Sequence, residues 1–376
     1  MQHEATPGRH LDPVGLDAAF ATARRQAELG DIPFIVFGVA DAAGVVRVEA
    51  ATAPGSPRPI GTDAVCLLAS ITKPIVATAV MRLHQDGRFH LGAPLATWLP
   101  ELGDDARATI TAWHVLTHTT GLEESGFEEA IGGGADRAEL LRRALAAPLA
   151  APVGSRFSYA TLTFDLLTLA VERALDRPFE EILRATVLDP LAMDDTSFEP
   201  GPELEPRVAP LVIGAWQDGH PGEPLPADQA LPLLRHFATL HLAGAGLFST
   251  AADLIRFGRA MLRGGELDGE RVLARPFVDL ATREVTIEGL GRQEDRLIDD
   301  EYAVGWGKPD RTSPASAAAF EHGGAAGTRL LVDPGHDLVI VSLSGAWGLP
   351  SRTHDRAING VYAALRDAPA PPPSGP

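Results

Sequence analysis

Two hydrophobic rhythms divide the chain. Residues 14–30, VGLDAAFATARRQAELG, place apolar side chains at helical spacing and end on glycine, which predicts a helix. PFIVFGVADAAGVVRVEAATA then switches to strand-like runs on either side of a DAAG turn. From residue 74 the helical spacing returns: PIVATAVMRLHQDG stops at Gly87, and DDARATITAWHVLTHTTGL reads as a helix closing on Gly121. The glycine triplet at 132–134 precedes an amphipathic helix and could form a lid over a site. TLTFDLLTLAVERALDRPFEEILRATVLDPLAM reads as two helices, and STAADLIRFGRAMLRGG as another opened by a Ser/Thr cap. Residues 200–243 are proline-rich, and no regular structure is assigned to them. The end returns to strands in EYAVGWGK, FEHGGAAGTRLLVDP and HDLVIVSLSG, with DPGHD as a hairpin turn. RTHDRAINGVYAALRDA closes the pattern as a helix, before a proline-rich tail expected to be disordered.

Strands at both ends with helices between them predict an α/β (α+β) fold: an antiparallel sheet built from both termini, flanked by terminal helices, with a mostly helical region inserted. The expected division is 1–65 and 245–366 for the sheet region, 66–244 for the helical region and 367–376 for the tail. A site is expected where the two regions meet.

The net charge of −18 over 376 residues argues against nucleic acid or an anionic membrane as partner, since both need a basic face. The single cysteine, Cys66, rules out a disulfide framework within the chain and reads as a small buried apolar residue. No apolar run reaches the ~18 residues of a membrane span, and the N-terminal segment has no basic region followed by an apolar stretch. A cytoplasmic protein is therefore expected.

The candidate chemistry begins in LLASITKPIV, residues 68–77. Residues three apart share a helix face, so Ser70 and Lys73 can meet. Pro74 lacks the N–H that would bond the carbonyl of residue 70, which is tolerated only in the first turn, so Ser70 belongs at or next to a helix N-terminus. A serine hydroxyl becomes a useful nucleophile when a base takes its proton. A lysine set among apolar neighbours has its ammonium form disfavoured by desolvation and can act as that acceptor. The Ser70 amide could stabilise an oxyanion. S-x-x-K alone is a weak signal, and a solvated serine and lysine on one face is the plainer alternative.

Other residues add to it. Tyr159 in FSYATLTF stands just before a long helix, and His322 precedes paired glycines in a strand context, where glycine can mark a close approach of ligand or backbone. His114 and His118 in HVLTH have the spacing of two metal ligands, but no glutamate lies between them and no third ligand is near, so structural hydrogen bonds are expected and no metal site or cofactor. G-x-S-x-G, a P-loop and a dinucleotide fingerprint are all absent from the sequence.

In order, ASITKP, HVLTHTTGL, YAT in the place of Y-x-N, DPLAMDDTSF, GAGLFSTAADLIRFG and EHGG in the place of K-T-G resemble the serine β-lactamase and penicillin-binding superfamily, in particular its class C β-lactamase, esterase and D-aminopeptidase branch. The resemblance covers roughly residues 15–365. It implies the β-lactamase/transpeptidase-like fold, Ser70 as acylated nucleophile, Lys73 as its proton partner and Tyr159 as general base. It also implies an oxyanion hole from the amides of Ser70 and Ala325, and a substrate-facing place for Thr161, His322, Gly323 and Gly324.

Two departures bear on substrate. Thr161 replaces the asparagine of Y-x-N, and one short hydroxyl grips an amide side chain less well than an amide does. His322-Gly323-Gly324 replaces K-T-G, and a histidine is mostly neutral at neutral pH. Both changes weaken attraction for a substrate carboxylate. The expected function is a cofactor-free serine hydrolase acting through an acyl-enzyme on small-molecule esters, with acyl transfer possible where an alcohol or amine replaces water. A β-lactamase or D-amino-acid peptidase, and an acyl-binding sensor without turnover, are the alternatives. Oligomeric state is not legible.

Overall fold

The computed structural model describes residues 9–367, apart from 57, 104, 125, 215, 218, 219, 222, 224, 286–301, 311 and 351. Its centre is a five-stranded antiparallel sheet. β1 (Phe34–Ala40) and β2 (Val45–Thr52) come from early in the chain, and β3 (Phe320–Gly324), β4 (Thr328–Asp333) and β5 (Leu338–Leu343) from late. The spatial order is β3-β4-β5-β1-β2, so β5 pairs with β1 across about three hundred residues of sequence, with Val341 opposite Gly38.

β1 is buried along its whole length, which is why FIVFGVA is a continuous apolar run. Its side chains still alternate between two cores. Ile35, Phe37 and Val39 pack with Phe20 and Ala23 of α1 (Pro13–Glu28) and with Ile358 and Val361 of the last helix. Phe34 and Val36 face the other way, into the larger core shared with the inserted helices.

Between the two strand groups the helices run in order: α2 (Thr72–Gln85), α3 (Ala112–Leu116), α4 (Phe127–Gly132), α5 (Arg137–Ala146), α6 (Leu162–Leu175), α7 (Phe179–Leu183), α8 (Ala227–Thr239), α9 (Ala251–Leu262) and α10 (Arg275–Thr282). α11 (Asp355–Ala363) follows β5. α9 buries Leu254, Ile255, Phe257, Gly258 and Met261 against the sheet. A Cβ at Gly258 would stand 2.6 Å from Val339 Cγ1, so glycine sets how closely helix and sheet approach.

The structure departs from the sequence expectations in four segments. The helix expected over DDARATITAWHVLTHTTGL is a 3₁₀ turn at Ala106–Thr109 and the five-residue α3, because Thr111 is extended and caps α3. The irregular 200–243 stretch contains α8, which buries Ala230, Leu234, Phe237 and Ala238 at helical spacing despite Pro232 inside it. EYAVGWGK, whose Glu301 lies outside the described residues, is not a strand over 302–308: Gly305 has φ +76° and folds Tyr302 and Gly307 onto each other. The terminal ribbon pairs Arg9–Leu11 with Leu365–Asp367, one residue into the expected tail; residues 368–376 lie outside the described residues. Among the described residues no helix is long and apolar enough to cross a membrane.

Candidate active site

Four separate segments converge on Ser70. Cys66–Leu67 pairs with Phe248–Ser249 in a short ribbon, and a 3₁₀ turn, Ala69–Ile71, leads from it into α2. Ala69 takes φ +50°, a left-handed conformation costly for a residue with a Cβ, and this sharp turn sets Ser70 at the helix entrance. Pro74 is the third residue of α2, where its missing N–H is harmless. Cys66 is buried in the core, which pushes its thiol up to about 12.

Lys73 is fully buried. Its Nζ donates to Ser70 Oγ at 3.2 Å, Gly244 O at 2.9 Å and Thr161 Oγ1 at 3.4 Å, which matches the three donors of an ammonium. The same Nζ lies over the Tyr159 ring, 4.5 Å from its centre, and 5.6 Å from that of Phe164. Tyr159 is held from both sides by His118: Ser158 N donates to His118 O at 2.8 Å, and Ala160 N to His118 Nδ1 at 3.1 Å. The rings of His118 and Tyr159 pack with centres 4.5 Å apart. His114 caps α3 with Thr111, so the two histidines serve local structure.

Ser70, Tyr159, Thr161 and Ala325 line one cavity of about 720 Å³. Ala325 follows β3, in the turn to β4, and Thr328 Oγ1 anchors that turn to Leu68 O at 2.7 Å. Gly324 is required here, since a Cβ would collide with Leu68 O and Thr328 Oγ1. Gly323 has no such neighbour.

His322, Gly323 and Gly324 do not line the cavity. His322 is buried and faces Tyr302, whose hydroxyl is 3.0 Å from Nε2. Nδ1 is 2.7 Å from Gly323 O, a pure acceptor, so Nδ1 carries the proton and Nε2 accepts from Tyr302. Burial, and then the nearby Lys73 charge, push His322 down to about 3, so the ring is neutral at neutral pH.

Glu124 is the main residue that sequence reasoning did not single out. Its carboxylate accepts from Thr161 N (2.8 and 2.7 Å) and Leu162 N (2.7 Å), capping α6, and it lines the cavity along with Glu123. Burial pushes its carboxyl up, against those amides and Lys73, which favour the charged form. No motif spacing marks it. Gly244 falls in GAGLFST, a stretch that contributed to the resemblance, yet composition does not identify its carbonyl as the partner of Lys73. A Cβ at Gly244 would collide with Thr161 O. Among the described residues no group of three or more His, Cys, Asp or Glu is placed to hold a metal ion.

This chain has relatives of known kind. It is 30% identical over 357 residues to esterase EstB of Burkholderia gladioli, covering 83% of each. Its fold is similar to that of EstCE1, a hydrolase with promiscuous acyltransferase activity (TM-score 0.76, 20% identity, 93% of this chain and 99% of that one). It is equally similar to a penicillin-binding protein homologue from Caulobacter crescentus (TM-score 0.76, 21% identity, 95% and 100%). The profile of the beta-lactamase family matches residues 21–364, and the chain belongs to the beta-lactamase family.

Proposed function

We propose that this protein is a serine hydrolase of the esterase type, working through an acyl-enzyme on Ser70. The observation that carries the reading is the fully buried Lys73, 3.2 Å from Ser70 Oγ, beneath a cavity that Tyr159 and Ala325 also line. Ser70 Oγ bonds to the ester carbonyl carbon as its proton passes to the phenolate oxygen of Tyr159, whose negative charge the Lys73 ammonium offsets. The amides of Ser70 and Ala325 take the oxyanion charge. The proton then goes to the departing alcohol as its C–O bond breaks. Water repeats the sequence from the other side and frees the acid and Ser70; an alcohol in place of water gives acyl transfer. The match to an esterase along most of both chains supports the ester preference.

Substrates with a free carboxylate are disfavoured. A neutral His322 turned to Tyr302 supplies no cation to the cavity, and among the charged residues lining it the three glutamates Glu123, Glu124 and Glu129 outnumber the one arginine, Arg156.

The test compares wild type with Ser70→Ala on a chromogenic short-chain ester and a chromogenic cephalosporin, with intact mass after a fluorophosphonate. Ester turnover is expected to fall at least about a thousand-fold in the variant with its thermal transition kept. The mass adduct should vanish with it, and the cephalosporin should be a poor substrate for wild type. Retained esterase activity in Ser70→Ala overturns the nucleophile. Efficient cephalosporin cleavage overturns the substrate preference.

A further inference from the structure

On the reading that Ser70 is the acylated nucleophile, we propose that the aliphatic chain of the ester sits in a second, apolar pocket beside the Ser70 cavity, and that this pocket selects straight chains of roughly six to eight carbons. The pocket holds about 200 Å³ and is walled by Ile131, Leu211, Ile213, Leu233, Phe237 and Trp347. Phe127, Phe237 and Trp347 line both this pocket and the Ser70 cavity, so the two spaces adjoin. Phe237 and Trp347 meet edge to face at that boundary, with ring centres 6.1 Å apart.

The two spaces differ in chemistry as the two parts of an ester do. Glu123, Glu124, Glu129 and Arg156 give the main cavity a charged wall, suited to the reacting carbonyl and to water. Among the described residues the side pocket has no charged residue in its lining, so water there would find few partners and a hydrocarbon chain would give up few by entering. Its volume sets the length. A methylene is close in size to a water molecule, about 30 Å³, so the pocket takes roughly six or seven of them. Leu211 and Leu234 line both this pocket and a wider cleft along a different face of α8, lined also by Ala230 and Ala238, which places these two side chains between the two spaces.

Two ester series test this on the full chain: p-nitrophenyl esters of acetate through dodecanoate, and acetates of methanol through dodecanol. In one series kcat/KM is expected to rise about two- to four-fold per methylene, peak at about six to eight carbons and then fall. The series that rises tells whether the acyl or the alcohol part carries the chain. Leu233→Trp and Ile213→Trp, made separately, should each lower the eight-carbon to two-carbon preference about ten-fold or more. Leu234→Ala, which opens the wall toward the cleft, should move the optimum to longer chains. Profiles that decline from the shortest ester in both series, or preferences that no variant moves, overturn the pocket's assignment while fluorophosphonate still labels Ser70. Absence of both labelling and ester turnover overturns the Ser70 reading, and this proposal with it.

Discussion

Asp165 lies one turn into α6, fully buried, with Oδ1 accepting from Ala243 N at 3.0 Å and Oδ2 without a hydrogen-bond donor among the described residues. Burial outweighs the Ala243 amide and the Arg137 and Lys73 charges, and pushes the carboxyl from 3.8 up to about 7. Between those two values the folded chain holds a proton that the unfolded chain has lost. Stability therefore falls as pH rises through that window and levels off above it, with a slope of at most about 1.4 kcal/mol per pH unit. Asp165→Asn keeps the acceptor for Ala243 and removes the titration. The Tm of the variant relative to wild type should rise between pH 5 and pH 8; a difference that does not change with pH would contradict the assignment. Legibility at this scale was uneven. Ser70 and Lys73 could be read because their spacing and Pro74 obey helix geometry. Glu124 and Gly244 could not, because they reach the site only by tertiary approach.

Elements were legible where local chemistry and packing agree. α9 begins with Thr250, whose Oγ1 accepts from Asp253 N at 3.2 Å, and buries one continuous stripe on the sheet. Thr250→Ala leaves that amide unpaired and should cost about 1 kcal/mol, read as a lower denaturation midpoint with an unchanged slope. An unaltered midpoint would mean the cap contributes nothing. α8 is the opposite case. Its segment is proline-rich and Pro232 lies inside the helix, which locally opposes it, whereas Pro226 at the N-cap does not; packing of Leu234 and Phe237 prevails. EYAVGWGK failed in the other direction. It has strand-like composition, but Gly305 sits where a Cβ would collide with Ala77, and the chain turns there instead of extending.

At the scale of the molecule the sheet closes late. β1 and β2 form an early hairpin, but β1 is a central strand and needs β5 along its other edge. A chain ending at residue 319 keeps Ser70, Lys73 and Tyr159 yet loses three of the five strands and α11, which covers one face of the sheet. It is expected to show no cooperative thermal transition and no ester turnover, since β1 is left with unpaired backbone groups that must otherwise be buried. A cooperative transition in that fragment would show that the inserted helices fold without the sheet.

What the sequence determined by itself is local: the periods that make β1, β4, β5, α2, α6 and α9, the helix entrance at Ser70, and the serine–lysine pair one turn apart. These follow from backbone geometry and from hydrophobic spacing within a few residues. The tertiary structure alone decided that Gly244 and Thr161 would take the remaining donors of Lys73, that His118 would brace Tyr159, and that His322 would turn to Tyr302. It also opened the apolar pocket against α8. Each of these depends on segments distant in sequence being pressed together by burial, and such contacts leave no period or spacing in the chain that could announce them.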